Sequence, residues 1–284
     1  MDLEVFILAY EPAIRLASFV AIFTVVGLWE LVAPRRAPTV SRAVRWSANM
    51  GLVVMNTALL RLIFPLAAVG MAAFGTANGW GLLNHFQVPL WIAVPVAVVA
   101  MDFVIWLQHV MVHAVPALWR LHRVHHADLD YDLTTGARFH PVEIGLSMLI
   151  KFATITVLGP PVLAVVIFEA LLNATAMFNH GNIRLPNAVD RVLRWFVVTP
   201  DMHRVHHSVE DDETNSNFGF NLPWWDRLFG TYRAQPRAGH EHLIVGIHCH
   251  RDPSEVSRLP GMLMLPFRGE VAGYAINRRH WGPI

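Results

Sequence analysis

Residues 144–177 read IGLSMLIKFATITVLGPPVLAVVIFEALLNATAM, and Gly159-Pro160-Pro161 cuts this apolar run in two. The run is too long for one simple span, and each half, of about 15 residues, falls slightly short of the ~20 that cross a bilayer perpendicularly. Glycine followed by two prolines marks a turn. The stretch therefore reads as a helical hairpin that enters the membrane, turns at Gly159–Pro161 and leaves on the side where it entered. His140 stands at its start and His180 at its end, so both belong to one face of the membrane.

The rest of the chain suits a membrane. Its 284 residues are 54% hydrophobic and 15% charged, with mean hydropathy +0.41, whereas soluble domains carry about 25% charged residues. Three spans precede the hairpin: about Pro12 to Ala33, roughly Trp46 to Phe74, and from near Val88 through Leu90 to Trp106. Arg35, Arg36, Arg42 and Arg45 lie between the first two and mark the cytoplasmic side. The loop from Gly75 to Gln87 has no Asp, Glu, Lys or Arg, as suits a short outer loop. The third span then returns to the cytoplasm at Gln108-His109, and the hairpin keeps everything after it there. The N-terminus, Met1-Asp2-Leu3-Glu4, lacks the positive start of a signal peptide, so the first apolar stretch is expected to stay in the mature protein.

The expected fold is thus an all-α integral membrane protein. It has about four membrane-inserted elements, three spans plus the hairpin, beneath which a cytoplasmic helical cap carries the histidines. The expected divisions are an N-terminal membrane region over 1–87, a histidine-bearing domain over 88–235 and a C-terminal cap over 236–284. A multi-pass protein of a bacterial inner membrane, or of the endoplasmic reticulum in a eukaryote, fits this plan. Arg61 falls inside the second span, where a charge is costly; it pairs with an acid such as Asp102 or snorkels. Asp102 sits about two helical turns deeper than His109. It is either the partner of Arg61 or an acceptor for an imidazole N–H.

One five-residue word occurs twice on the cytoplasmic side. His122-Arg123-Val124-His125-His126 and His203-Arg204-Val205-His206-His207 both read HRVHH. Positions i, i+3 and i+4 share a helical face, so each copy is expected to aim three imidazoles in one direction. His109 and His113, spaced i and i+4, share another face. Pro116 opens the helix of the first copy; Thr199-Pro200-Asp201 supplies cap, first-turn proline and acid for the second. With 16 histidines in 284 residues, chance would give roughly 0.05 HxxHH triplets. Imidazole is the commonest ligand of iron, zinc, copper and nickel. Eight convergent imidazoles exceed the needs of one tetrahedral ion and point to two metal ions.

Other features bear on function by exclusion. Asn187 to Val198 has an apolar stripe against Asp190, Arg191 and Arg194 and reads as an interfacial amphipathic helix. His240, His242, His248 and His250 share no ligand spacing and read as cap residues. Cys249 is the single cysteine, so the chain alone cannot hold a thiolate-bound iron–sulfur cluster, which takes about four. A net charge of +1 argues against a nucleic-acid partner drawn by bulk charge.

The order His109-x3-His113, His122-x2-His125-His126, His203-x2-His206-His207 resembles the fatty acid hydroxylase/sterol desaturase superfamily of membrane histidine-box enzymes. Arg138-Phe139-His140-Pro141, Asn179-His180, Asn217-Phe218-Gly219 and Trp225-Asp226-Arg227-Leu228-Phe229-Gly230-Thr231 extend the likeness over about Asp102 to Tyr232. The resemblance implies a non-haem centre of two iron ions held by His109, His113, His122, His125, His126, His203, His206 and His207. His180 matches a further ligand position, and His140 matches a position open to ligand or supporting roles. The His-Pro-Gly-Gly motif of relatives with a cytochrome b-type domain is replaced here by His140-Pro141-Val142-Glu143.

The implied chemistry is O2-dependent hydroxylation or desaturation of an unactivated C–H bond in a lipid, fatty acyl, sterol or isoprenoid-like. Electrons are expected from a separate ferredoxin- or cytochrome-type donor, since the chain shows no flavin motif. A zinc hydrolase or a metal-transporting membrane protein would also use histidines and spans. Transporters, however, hold ions near the bilayer midplane on broken helices, whereas these boxes fall beyond the ends of the spans.

Overall fold

Backbone polar groups in hydrocarbon must be satisfied within the chain, and here helices do so. The computed structural model describes residues 3–269; residues 1–2 and 270–284, the ends of the expected N-terminal region and C-terminal cap, lie outside the described residues. The long elements are α1 (Leu3–Val32), α2 (Arg42–Ile63), α3 (Ala67–Ala77), the single turn α4 (Leu82–His85), α5 (Leu90–Ala114), α6 (Pro116–His126), α7 (Pro141–Leu158) and α8 (Val162–Asn179). Short helices follow: α9 (Asn187–Leu193), α10 (Pro200–His206), α11 (Asp211–Thr214), α12 (Trp224–Leu228), α13 (Gly239–His242), α14 (Pro253–Val256) and α15 (Leu259–Met264). Among the described residues no strand forms; two isolated bridges, Pro34–Ile183 and Ser208–Val245, tie loops together.

Five stretches are long and apolar enough to cross a membrane: α1, the Arg42–His85 segment, α5, α7 and α8. The protein is an integral membrane protein, and the hairpin supplies two of the five. Its turn forms as the glycine and prolines dictate. Gly159 takes φ 65° and ends α7 with its amide on the Ile155 carbonyl. A Cβ there would lie 2.3 Å from the Trp80 carbonyl oxygen. The hairpin turn and the loop after α3 therefore meet backbone to backbone at one end of the bundle.

Three boundaries differ from expectation. The first helix starts well before Pro12 and carries that proline inside it. The second span is broken rather than continuous: α2 stops at Ile63, Phe64 takes φ −123° and ψ 70°, and Ala67 has φ 50°. Pro65 explains the break, because it lacks an N–H and keeps the residue before it out of helical geometry. Asn187–Val198 is helical only to Leu193. Arg194 then turns back onto Asp190, and the Val198 amide bonds the Asn221 carbonyl.

The membrane core gathers Met101 and Ile105 of α5, Val165 and Phe168 of α8, Met148 and Ile155 of α7, and Ala68 and Ala72 of α3. Arg61 and Asp102 do not meet. Asp102 accepts from the Trp225 indole at 2.8 Å, whereas Arg61 lies in the electrostatic reach of Glu169. Glu169 itself receives Lys151 at 2.9 Å and Arg15, which also bonds Glu11.

Below the core, the ends of α1 and α2 clamp residues 127–140. Glu30 accepts the amides of Leu133 and Asn182 at 2.8 and 2.6 Å. Arg45, fully buried, bonds Asp128 through Nε and Nη2 at 2.7 Å and Asp132 through Nη1 at 2.5 Å. Burial alone would raise the Asp128 carboxyl; Arg45 and Arg138 instead hold it down at about 2.

Removing one partner from a buried ionic cluster leaves an uncompensated charge and costs about 3–5 kcal/mol. Arg45→Met should therefore lower the thermal midpoint of the detergent-solubilised protein markedly, read by fluorescence-detected size exclusion after heating. An unchanged midpoint would show that the clamp contributes nothing.

Candidate metal centre

Proline punctuation builds the site. Val115 is extended ahead of Pro116, which ends α5 just after His113 and starts α6. Thr199 caps α10, its hydroxyl oxygen accepting the Met202 amide at 3.4 Å, and Pro200 takes the first helical position. Residues 135–137 press against the end of α8. A Cβ on Gly136 would stand 2.4 Å from the Ala176 carbonyl oxygen and 3.0 Å from His180 Nδ1, so only glycine lets the two approach.

Nine buried imidazoles converge in two groups. His109, His113, His122, His126 and His206 form one; His125, His180, His203 and His207 form the other. Within each group one ring nitrogen per residue lies within 4.8 Å of all the others. The two HRVHH words do not each point one way, as helical spacing suggested. Each word divides: His122 and His126 go to the first group and His125 to the second, while His206 goes to the first and His203 and His207 to the second. The 100° step between neighbouring helical positions is enough for one helix to serve two centres set side by side.

Hydrogen bonds on the outer nitrogens determine what the inner ones are. His109 Nδ1–H donates to the Phe218 carbonyl at 2.7 Å, His206 Nδ1–H to the Ser216 carbonyl at 2.7 Å and His122 Nδ1–H to Glu143 at 2.6 Å. His113 Nδ1 faces Asn215 Oδ1 at 3.3 Å, and His180 Nδ1–H donates to the Ala176 carbonyl at 2.7 Å. A neutral ring with its proton on Nδ1 has a bare lone pair on Nε2. Yet His109 and His122 bring Nε2 to Nε2 at 3.1 Å, and His180 Nε2 stands 3.3 Å from His125 Nε2 and 3.2 Å from His207 Nε2. The Nε2 atoms of His113, His126, His203 and His206 are buried without a hydrogen-bond partner. The lone pairs of His109 and His122, aimed at one another, repel, and a cation between them would turn the repulsion into ligation. Two ligand nitrogens about 2.0–2.1 Å from a shared ion would stand about 3.0–3.4 Å apart. The donor set fits a metal in each group.

Burial also disfavours protonation of several of these rings. It drives His125, His126, His203, His206 and His207 well below the ordinary histidine value, with the neighbouring imidazoles adding to it. His180 is pushed down to about 3. Neutral imidazole is the ligating form.

Toward the membrane, Phe139 stacks on His125 at 4.5 Å and 10°, and Phe220 leans on His109 at 4.9 Å. Phe220 belongs to the buried membrane core and Phe139 packs against it. Hydrocarbon thus abuts the imidazoles.

Asp102 touches Trp225 and no imidazole. A different carboxylate, Asp226, holds the Phe218 and Gly219 amides at 2.9 and 2.8 Å and the Trp106 indole at 3.1 Å. It thereby fixes the carbonyl that orients His109. His140 joins neither group: it caps α7, accepting the Val142 amide at 3.2 Å, and its Nε2 faces the Leu263 carbonyl at 3.3 Å. His240 faces Asp201 at 3.8 Å and His250 faces Glu255 at 3.3 Å; both lie apart from the centre, as does Cys249. Sequence reading missed Glu143, although it is the single acid between Asp132 and Glu169 and opens an apolar hairpin. A carboxylate in such a place signals function.

A sequence model of the fatty acid hydroxylase family matches residues 94–231. The chain is similar to the ornithine lipid hydroxylase OlsE of Rhizobium tropici, 29% identical over 187 residues that make up 65% of this chain and 54% of that protein. It is similar to the alkylglycerol monooxygenase of Xenopus tropicalis, 30% identical over 136 residues, 46% of this chain and 28% of that one. It is also similar to the Delta(7)-sterol 5(6)-desaturase erg3B of Aspergillus fumigatus, 28% identical over 169 residues, 58% and 44% of the two. The match spans about half or less of each relative's length. No solved structure matches the chain.

Loss of a group that orients a ligating histidine costs about 10–100-fold in metal affinity. Glu143→Gln should weaken metal binding by that order, measured by competition with a chromophoric chelator; equal affinity would remove Glu143 from any supporting role. In the metal-free protein the depressed histidines bind fewer protons folded than unfolded, where they titrate near 6.5. Stability present above that value is therefore lost as pH falls below it, continuing toward about 3 for His180. The metal-free midpoint should drop between about pH 7.5 and pH 5, by differential scanning fluorimetry; a flat profile would contradict neutral burial.

Proposed function

We propose that this chain, which belongs to the fatty acid hydroxylase/sterol desaturase superfamily, is a di-iron enzyme that uses O2 to hydroxylate or desaturate a C–H bond of a membrane lipid. An oxidoreductase acting on lipids follows from the superfamily; the metal, the oxidant and the substrate are the proposal. One observation carries it: two groups of buried imidazoles with unpartnered ring nitrogens, set directly against two phenylalanines of the apolar membrane core.

His109, His113, His122, His126 and His206 would hold one ion, and His125, His180, His203 and His207 the other. When bound, the two irons supply the redox chemistry that activates dioxygen toward an unactivated C–H bond. The rest is done by the chain. Phe139 and Phe220 exclude water and offer an apolar seat to a lipid tail still in the bilayer. Glu143 holds the Nδ1 proton of His122, and the carbonyls of Phe218, Ser216 and Ala176 hold those of His109, His206 and His180, so that each Nε2 stays a donor. Hydroxylation balances as R–H + O2 + 2 e⁻ + 2 H⁺ → R–OH + H2O. Desaturation consumes the same electrons and protons and releases two waters. The electrons come from a separate ferredoxin- or cytochrome-type donor. The arginines between α1 and α2 support a cytoplasmic centre. The three similar proteins named above act, by their names, on an ornithine lipid, an alkylglycerol and a sterol, which supports a lipid whose reacting carbon reaches the membrane surface.

The test is dioxygen consumption coupled to lipid oxidation by the iron-loaded protein in nanodiscs, with lipid profiling of cells with and without the gene to name the substrate. His206→Ala should lose at least ~100-fold of this activity, as expected when a ligand is removed, while still inserting into membranes. Full activity in that variant would overturn the site assignment.

A further inference from the structure

Residues 218–229 follow the last histidine box, yet they pack on the hydrocarbon side of the histidines. A hydrocarbon core about 30 Å thick, taken from Leu90 at the start of α5, ends near His109. α12 meets α5 short of that level. The Trp225 indole donates to Asp102 at 2.8 Å, its ring lies 4.9 Å from Phe103, and Phe229 stacks on Trp106 at 4.7 Å and 20°. Asp102 lies about 10 Å from His109 along the helix, toward the bilayer centre. On the other flank Asn221 bonds Thr175 of α8, about 7 Å on the membrane side of His180.

Irregular backbone at membrane depth must find its partners within the protein. Asp226 supplies them. Its carboxylate accepts the Phe218 and Gly219 amides, the Trp106 indole and the Thr231 hydroxyl, at 2.6–3.1 Å. Its carbonyl accepts the Thr231 and Tyr232 amides at 2.8 and 3.0 Å. The outward face is apolar. Trp224, Leu228 and Phe229 are 45%, 71% and 52% exposed, and Trp195 and Phe196 are 56% and 64% exposed. The Trp224 indole donates to the Trp195 carbonyl at 2.7 Å, and Arg227 lies 4.0 Å over the Trp195 ring, so the two segments form one surface. A contiguous apolar patch of this kind marks a protein or membrane contact.

We propose that α12, with Trp195 and Phe196, is a re-entrant element that docks the acyl-chain boundary of the leaflet on the histidine side. Two observations select lipid over a second copy of the chain. The patch is continuous with the α5 face on which Leu107 and Met111 are exposed, i+4 and i+8 from Phe103. Its charge is also one-sided. Residues 184–196 and 218–232 hold four arginines and two acids; Asp190 is bonded to Arg194 and Asp226 to the donors above, while Arg184 and Arg191 are exposed. Two copies meeting there would oppose like charges, whereas phosphates at headgroup level match them. Exposed tryptophans suit the same level. The docking stands apart from the metal and the reaction proposed above; under that proposal, the reacting lipid reaches His109 sideways within its own leaflet.

The experiment uses the full chain in phosphatidylcholine nanodiscs, in a Cys249→Ser background, with a bimane label on one introduced cysteine at a time. Leu228→Cys and Phe196→Cys report the patch. Val157→Cys, at a 65% exposed site of α7, is the lipid reference; Arg237→Cys, at a side chain 61% exposed on the polar side, is the aqueous one. Labels at Leu228→Cys and Phe196→Cys should behave as at Val157→Cys, losing about half their fluorescence or more to 5-doxyl phosphatidylcholine, as suits an apolar face sunk into the headgroup–acyl boundary, and resisting aqueous iodide. Arg237→Cys should do the reverse. Iodide quenching at the two patch sites equal to that at Arg237→Cys overturns the proposal. So does shelter from both quenchers, which means that a second copy or another protein covers the face. None of these readouts needs iron or turnover, so their failure is distinct from failure of the proposed function.

Discussion

Imidazole Nε2 atoms crowd one another at 3.1–3.3 Å, and this constraint governs the rest of the molecule. Nine rings buried in this way leave several ring nitrogens without a partner, and cations between them would satisfy those nitrogens. Until then the surrounding scaffold must hold the rings in place. The supports are unequal. In the five-histidine group four rings have Nδ1 engaged, by Phe218, Asn215, Glu143 and Ser216. In the four-histidine group His180 alone is engaged, by Ala176, while His203 has only the Asn217 backbone nearby. One half of the centre is thus set by the protein, and the other depends more on what it binds.

The scaffold answers the constraint with rigid ends rather than a large soluble core. α5, α7 and α8 are anchored in the bilayer, so His109, His113 and His180 arrive at fixed depths. The HRVHH helices are short and rely on neighbours. The clamp of Arg45, Asp128 and Asp132 locks residues 127–140 to α2, and Arg123 ties α6 to the Leu265 carbonyl at 2.7 Å. Buried ion pairs contribute little net stability against apolar replacements. Their value lies in fixing a register that a greasy interface could not define.

Features set by local chemistry were legible in the sequence. Gly159-Pro160-Pro161 turns the hairpin, Pro116 and Pro200 start the box helices, and the apolar stretches give five membrane-competent segments. What depends on distant partners was not. Helical spacing groups His122 with His125 and His126, but the partition between two centres is decided by which neighbours face each ring. Asp102 was singled out for its depth, yet Trp225, 123 residues away, claims it. Glu143 meets His122 only when α7 packs against the first box. Pro65 was visible, but how far it would break α2 from α3 depended on the packing of α3 against α7 and α8.

The donor set itself bears on how the centre would work. Soluble four-helix di-iron proteins place several glutamates on their metals, and those carboxylates cancel much of the ionic charge. Here both groups are built of imidazoles, and among the described residues the one carboxylate hydrogen-bonded to any of them, Glu143, acts through His122. A divalent pair bound by neutral ligands, with phenylalanine on the membrane side, keeps most of its charge in a poorly screening medium. Such a site favours gaining electrons over losing them. It would therefore suit the proposed function, in which a separate reductant charges the centre.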